Sequence, residues 1–187
     1  NFRRNYAKSE LFEVDGHPYF KSIPGKEGQL KAEEHYGMKS WENINKSNLP
    51  ELKSITAEEL DTLWVQLKEK YIDDGKGGFI VPDINTGLFA HFYGDKKSNL
   101  KEKLISKGRI YGNAIEEIIQ NPDEIWGNYL AGKHGEEYFS VFIKYYKDIP
   151  LVLVVSKTNK VDSLYPLDRN TNSRLGQMRM GVLLYKK

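Results

Sequence analysis

Four histidines, His17, His35, His91 and His134, are the side chains of this chain best suited to move a proton near neutral pH. His17 and His35 lie in an irregular lead, and His134 sits in a glycine-flanked turn, Gly132-Lys-His-Gly135. His91 stands among apolar residues, Gly87-Leu-Phe-Ala-His91-Phe-Tyr, which suits either an acid/base group or a hydrogen-bonded core histidine. Ser163 and Tyr165 are two residues apart in Val161-Asp-Ser-Leu-Tyr165, hence on one face of any strand there. A tyrosine so placed can stack a base, donate to a phosphate, or simply pack in a sheet.

Cations are distributed unevenly. Net charge is only +2, which argues weakly for a polyanionic partner. Residues 150–187 nevertheless carry seven Lys/Arg against two Asp/Glu, whereas residues 1–60 carry nine against ten. Lys157, Arg169, Arg174 and Arg179 belong to that surplus, and Lys144 lies just upstream. Asp123-Glu124 follows Pro122 at a turn, where an aspartate serves local hydrogen bonding, so the pair is not read as a general acid and base. The absence of cysteine removes disulfides, thiolate metal sites and a thiol nucleophile. There is no HExxH, no Gly-rich phosphate loop, no nucleophile elbow and no acidic cluster that calls for two metals.

The elements that must position these groups fall in a simple order. Residues 1–55 read as an irregular extension. Within it, Leu11–Val14 and His17–Phe20 flank Asp15-Gly16, a type I′ hairpin signal. Short helices are expected over 29–36, ended by Gly37, and over 40–45. Thr56-Ala-Glu-Glu59 is a capping box, and Leu60, Leu63, Trp64, Leu67 and Tyr71 then recur at helical spacing. A short extended segment at Phe79–Pro82 and a helix from Ser98 to Ser106 come next. A helix from Ile110 to Gln120 ends at Asn121-Pro122.

From there the residues are β-branched and aromatic: 125–131, 138–147, 150–158, 161–165 and 181–185, with a polar loop over 170–176. Pro150 opens its strand, where a missing N–H is tolerated. Short links imply antiparallel neighbours. Helices followed by strands argue an α+β domain over residues 56–187, with helices on a four- to five-stranded antiparallel sheet. One face of that sheet should meet the helices and the other a substrate. No run of about 18 apolar residues is present to span a membrane, and no signal peptide is visible. The chain begins at Asn1 rather than Met and is read as a fragment or processed tail.

Four stretches together look familiar: Ile115-Glu-Glu-Ile-Ile-Gln-Asn-Pro-Asp-Glu-Ile-Trp126, the strand pair carrying Lys144-Tyr145, Val161-Asp-Ser-Leu-Tyr-Pro166, and Arg179-Met-Gly-Val-Leu-Leu-Tyr185. They resemble the barnase–EndoU–colicin E5/D–RelE-like superfamily of toxin ribonucleases, in its second phage subfamily, over residues 56–187. The lead around Glu33–Ser40 is similar to what precedes such domains in phage head proteins and polymorphic toxins.

The resemblance implies a metal-independent, cofactor-free endoribonuclease with its site on the open face of the sheet. It implies delivery into a target bacterial cell, action on RNA such as tRNA in that cytoplasm, and a cognate immunity protein as partner. No membrane association is expected, and the chain should be a monomer apart from that partner. Such RNA cleavage uses the substrate's own 2′-OH as nucleophile. The protein must take a proton, hold the phosphorane charge and protonate the leaving oxygen. On the family pattern His91 is the acid/base, Ser163 stands where the family has Thr or Ser on its penultimate strand, and Arg109 precedes the second helix as an arginine often does. Lys144 completes the catalytic set, and Tyr165, Lys157, Arg169, Arg174 and Arg179 bind RNA. Two rivals are an NAD-consuming or ADP-ribosylating toxin, whose strand-borne acid is not obvious here, and a non-enzymatic module of a phage or secretion protein.

Overall fold

In the computed structural model the described residues are 11–14, 17–20, 33–71, 109–132, 135–179 and 181–187. His91 therefore lies outside them, as do the expected segment at 79–82 and the helix at 98–106. Two short strands come first, β1 (Leu11–Val14) and β2 (His17–Phe20), paired antiparallel with Val14 opposite His17, as the Asp15-Gly16 spacing predicts. Residues 33–36 make one helical turn. The Gly37 and Met38 amides return to the carbonyls of Glu34 and Glu33, with Gly37 at φ 64°, where a side chain would be strained. A 3-10 turn, Trp41–Asn43, follows.

Helix α1 (Ala57–Lys70) starts on the expected capping box: Thr56 Oγ1 accepts from the Glu59 amide at 3.1 Å, and Glu59 Oε2 from the Thr56 amide at 2.8 Å. It buries Leu60, Trp64 and Leu67, while Leu63 and Tyr71 pack at the margin. A helical stretch from Arg109 tightens to a 3-10 turn at Gly112–Ala114 and continues as α2 (Ile115–Gln120). Lys70 and Tyr71 of the first helix reach Glu116 of the second.

The main sheet has strands β3 (Glu124–Gly132), β4 (Gly135–Tyr145), β5 (Pro150–Ser156), β6 (Val161–Pro166) and β7 (Val182–Lys186). Its order is β6-β5-β4-β3-β7, antiparallel throughout. The α+β class and the strand count follow the expectation. What the sequence does not announce is that β7 returns beside β3, at the edge opposite β6. The chain must therefore cross about four strand spacings, roughly 19 Å, between its last two strands. That crossing holds an eight-residue helix, α3 (Thr171–Met178), where a polar loop was expected. Leu175 and Met178 are one turn apart and bury on the sheet, and that burial outweighs the polar residues between them.

Each sheet face has its own core. The first gathers Phe142, Leu151, Leu153, Val155, Val161 and Leu164 under α1 and α2. The second gathers Trp126, Val141, Ile143, Val152, Val154 and Tyr165 under α3, with Tyr36, Met38, Trp41 and Ile44 packed on it. The expected open face is therefore covered. Residues 33–44 lie over it: of the two short helices expected there, 33–36 forms a helical turn and 41–43 a 3-10 turn, and their apolar and aromatic side chains pack on the sheet.

Candidate functional site

The second face is built around one guanidinium. Arg179 follows α3 and is fully buried. Its Nε lies 3.1 and 3.0 Å from the two Glu124 carboxylate oxygens. One terminal nitrogen donates to Glu124 Oε1 at 2.7 Å and to the Tyr145 hydroxyl at 2.8 Å. The other donates to Glu33 Oε1 at 3.0 Å and to the Lys39 carbonyl at 2.6 Å. All five donors of the fork are thus engaged. Tyr145 donates to Glu124 in turn, and Trp126 Nε1 donates to the other Glu124 oxygen at 3.3 Å.

The strands explain this convergence. Glu124 and Trp126 are two apart on β3, and register places Glu124 opposite Ile143 and Trp126 opposite Val141, so both face the second core. Tyr145, two beyond Ile143, shares that face. Burial works against a charge on Arg179, but the Glu124 carboxylate more than offsets it and keeps the guanidinium protonated. Burial, then the charge of Glu124, push the Tyr145 hydroxyl well above its ordinary range, so it stays a neutral donor.

Several sequence-based assignments change here. Arg179 was expected to track an RNA backbone; it is buried, and carboxylates, a carbonyl and a hydroxyl take every donor. Tyr165 faces the same core and donates to Met178 Sδ at 3.2 Å, so its ring is packed instead of offered for stacking. Lys144 points to the opposite face, where its Nζ reaches the Asn121 carbonyl at the end of α2 at 2.8 Å and lies 3.9 Å from Asp123. It is a buried helix-end cation, not a phosphate contact. Arg109 lies in the helix layer: its Nε donates to the Ile55 carbonyl at 2.7 Å while its own carbonyl accepts from the Ile55 amide, which ties the lead into α1 to the stretch before α2.

Ser163 does share the face of Tyr165, opposite Val154, but only 2% of it is exposed, and its hydroxyl lies a long 3.4 Å from Asp162 Oδ2. Lys157 and Arg169 are exposed, in the turns before and after β6. The six residues of β6 separate them by roughly 20 Å. Arg174 pairs with Asp168 at 3.6 Å beside Arg169, near the start of α3. The structure thus gathers Arg169 with Arg174, leaves Lys157 at the far end of the edge strand, and separates Lys144 and Arg109 from all three.

Sequence reasoning set Glu124 aside with Asp123 and gave no role to Tyr145 or Glu33. A signal existed for the first: an arginine inside the apolar run Leu175–Val182 needs a buried acid, and Glu124 alternates with Trp126. Asp123 does behave as its turn position implies, accepting from the Tyr145 amide at 2.7 Å. Among the described residues no three His, Asp or Glu side chains cluster as metal ligands, and no helix is long and apolar enough to cross a membrane.

A family model described as phage-Barnase-EndoU-ColicinE5/D-RelE like nuclease2 matches residues 50–186. No curated protein and no solved structure matches the chain.

Proposed function

The chain belongs to the phage-Barnase-EndoU-ColicinE5/D-RelE-like nuclease 2 family, and from that premise we propose that it is a metal-independent endoribonuclease of the toxin kind. The observation that carries this is the match across residues 50–186, which takes in both helices of the first face and all five strands of the main sheet.

The reaction uses the RNA 2′-OH as nucleophile. His91 removes its proton or protonates the leaving 5′-oxygen, the exchange leaving a cyclic phosphate on one fragment and a free hydroxyl on the other. Ser163 donates to the phosphate when the second face is uncovered. Lys157, Arg169 and Arg174, the cations placed along β6 and at the start of α3, follow the RNA backbone as point contacts. A folded RNA such as tRNA in a target bacterial cell is the substrate, reached by injection or secretion. An immunity protein protects the producer, and the nuclease is otherwise monomeric.

The test is cleavage of total RNA and purified tRNA in EDTA by the wild type, His91→Ala and Ser163→Ala. The wild type should cut in the chelator, and His91→Ala should lower the rate by about 10²–10⁴-fold, the usual worth of a positioned acid or base. Intact RNA with NAD consumed in a cell extract would favour the NAD-acting rival. Cutting that is unchanged in His91→Ala removes that residue from the mechanism.

A further inference from the structure

We propose that residues 33–44 lie on the second sheet face as an internal stand-in for RNA, with the Glu33 carboxylate in the place of a phosphate and Tyr36 and Trp41 in the places of flanking bases. This masking rests on the ribonuclease activity proposed above and adds to it a nucleotide site and its occupant.

Four observations carry it. The first is position. The segment precedes residues 50–186, the stretch the family model matches, yet it packs on the sheet that this stretch builds. The second is chemistry at Arg179. The sheet itself supplies Glu124 and Tyr145, which take Nε and one terminal nitrogen. The strap supplies everything on the remaining nitrogen: an anionic oxygen from Glu33 at 3.0 Å and the Lys39 carbonyl at 2.6 Å. On that nitrogen a phosphate oxygen can take the place of the Glu33 oxygen, since both are anionic acceptors.

The third observation is the rings. Tyr36 meets Trp126 edge-on with centroids 5.3 Å apart, and Trp41 tilts toward Tyr145 at 6.2 Å. Each strap ring therefore touches a sheet aromatic that belongs to the Arg179 network, Trp126 through its bond to Glu124 and Tyr145 through its bond from Arg179 itself. A phosphate between two stacked bases is the repeating unit of single-stranded RNA. The fourth is charge. Residues 33–44 hold three glutamates against one lysine and cover a domain whose 150–187 segment is basic, seven against two.

The strap also has little regular structure of its own. It is one helical turn and one 3-10 turn, joined to α3 through the Glu42 amide on Asn172 Oδ1 at 2.9 Å. A segment with so little regular structure opens at lower cost than the sheet beneath it. Lifting it leaves the Glu124–Arg179 pair in place and frees the outer nitrogen of Arg179, the Tyr145 ring and the Trp126 ring together.

The experiment uses the full chain as wild type, Glu33→Gln, Trp41→Ala and the double variant. The probe is a short single-stranded RNA with 2′-O-methyl groups, which binds but cannot be cut by 2′-OH attack. The double variant should bind it about tenfold more tightly and cut ordinary RNA correspondingly faster. In the wild type, bound probe should speed hydrogen exchange of the 33–44 amides. Thermal unfolding checks that the variants fold; Glu33→Gln, which keeps the shape, decides alone if Trp41→Ala does not. Equal or weaker binding in a folded variant, or slower 33–44 exchange with probe bound, overturns the masking and leaves a nuclease that cuts RNA untouched. No cutting and no binding by any form overturns the ribonuclease and the masking together.

Discussion

The two faces of the main sheet are closed by different means. Under α1 and α2 the contacts are mainly aliphatic and aromatic; Lys70 with Glu116 stays at the rim, and buried Lys144 caps the end of α2 near Asp123. Over the opposite face the apolar layer is thinner, and its centre is a buried cation shared by Glu124, Tyr145 and Glu33. Apolar burial holds layers together without caring which atoms meet. A buried ion pair adds little net stability against an apolar replacement, because desolvation offsets the attraction, but it is costly to break. One face is thus a permanent joint, and the other is a fitted one whose outermost partner comes from residues 33–44.

Four measurements probe this contrast. The largest effect should come from Arg179→Met, which leaves Glu124, 1% exposed, without its cation. Urea unfolding should show a loss of about 3–5 kcal/mol, and exchange of the 33–44 amides should rise. A similar loss with unchanged exchange there would mean that Arg179 does not hold the strap. Next, Leu60→Ala removes a fully buried side chain from the first face and should cost about 3 kcal/mol, leaving 33–44 exchange unaltered until global unfolding. If it loosens the strap as much as Arg179→Met, the two faces are not independent. Third, Thr56→Ala deletes the cap of α1 and should cost about 1 kcal/mol. It isolates the contribution of local helix chemistry to the first face.

The smallest effect concerns pH. The Lys70 hydrogen bond lowers the Glu116 carboxyl below its ordinary value. A lowered folded value means that the stabilisation is present above the usual carboxylate range and fades as pH falls through the lowered value. The contact is largely exposed and screened, so its loss should be smaller than that of the cap. Comparing wild type with Glu116→Gln between neutral pH and about pH 3 reads it. A gain in stability on acidification would invert the assigned sign.

Local rules made much of the first face legible. The capping box, the Leu60–Trp64–Leu67 stripe, the stop at Asn121-Pro122 and Pro150 at a strand start are decided within a few residues. The second face was hidden because it depends on partners far apart in sequence. Whether 171–178 is loop or helix depends on β7 lying across the sheet from β6. Whether 33–44 is a linker or a cover depends on a surface built about a hundred residues later. The same distance explains the site. Lys144, Tyr165 and Arg179 were correctly placed on strands or beside them, but charge suggested solvent for the two cations and left Tyr165 open between packing and stacking, and only the fold shows their buried partners: the Asn121 carbonyl, Met178 and Glu124.

The order β6-β5-β4-β3-β7 also bears on synthesis. Strand β3 has its neighbour on one side as soon as β4 is made, but it waits for residues 182–186 to gain the other. Glu124 likewise waits for Arg179, fifty-five positions later. A nascent chain halted before that point holds a carboxylate with no cation and an unpaired strand edge, so it cannot close the second face. The second face is therefore complete only once residues 179–186 have joined β3 and Glu124.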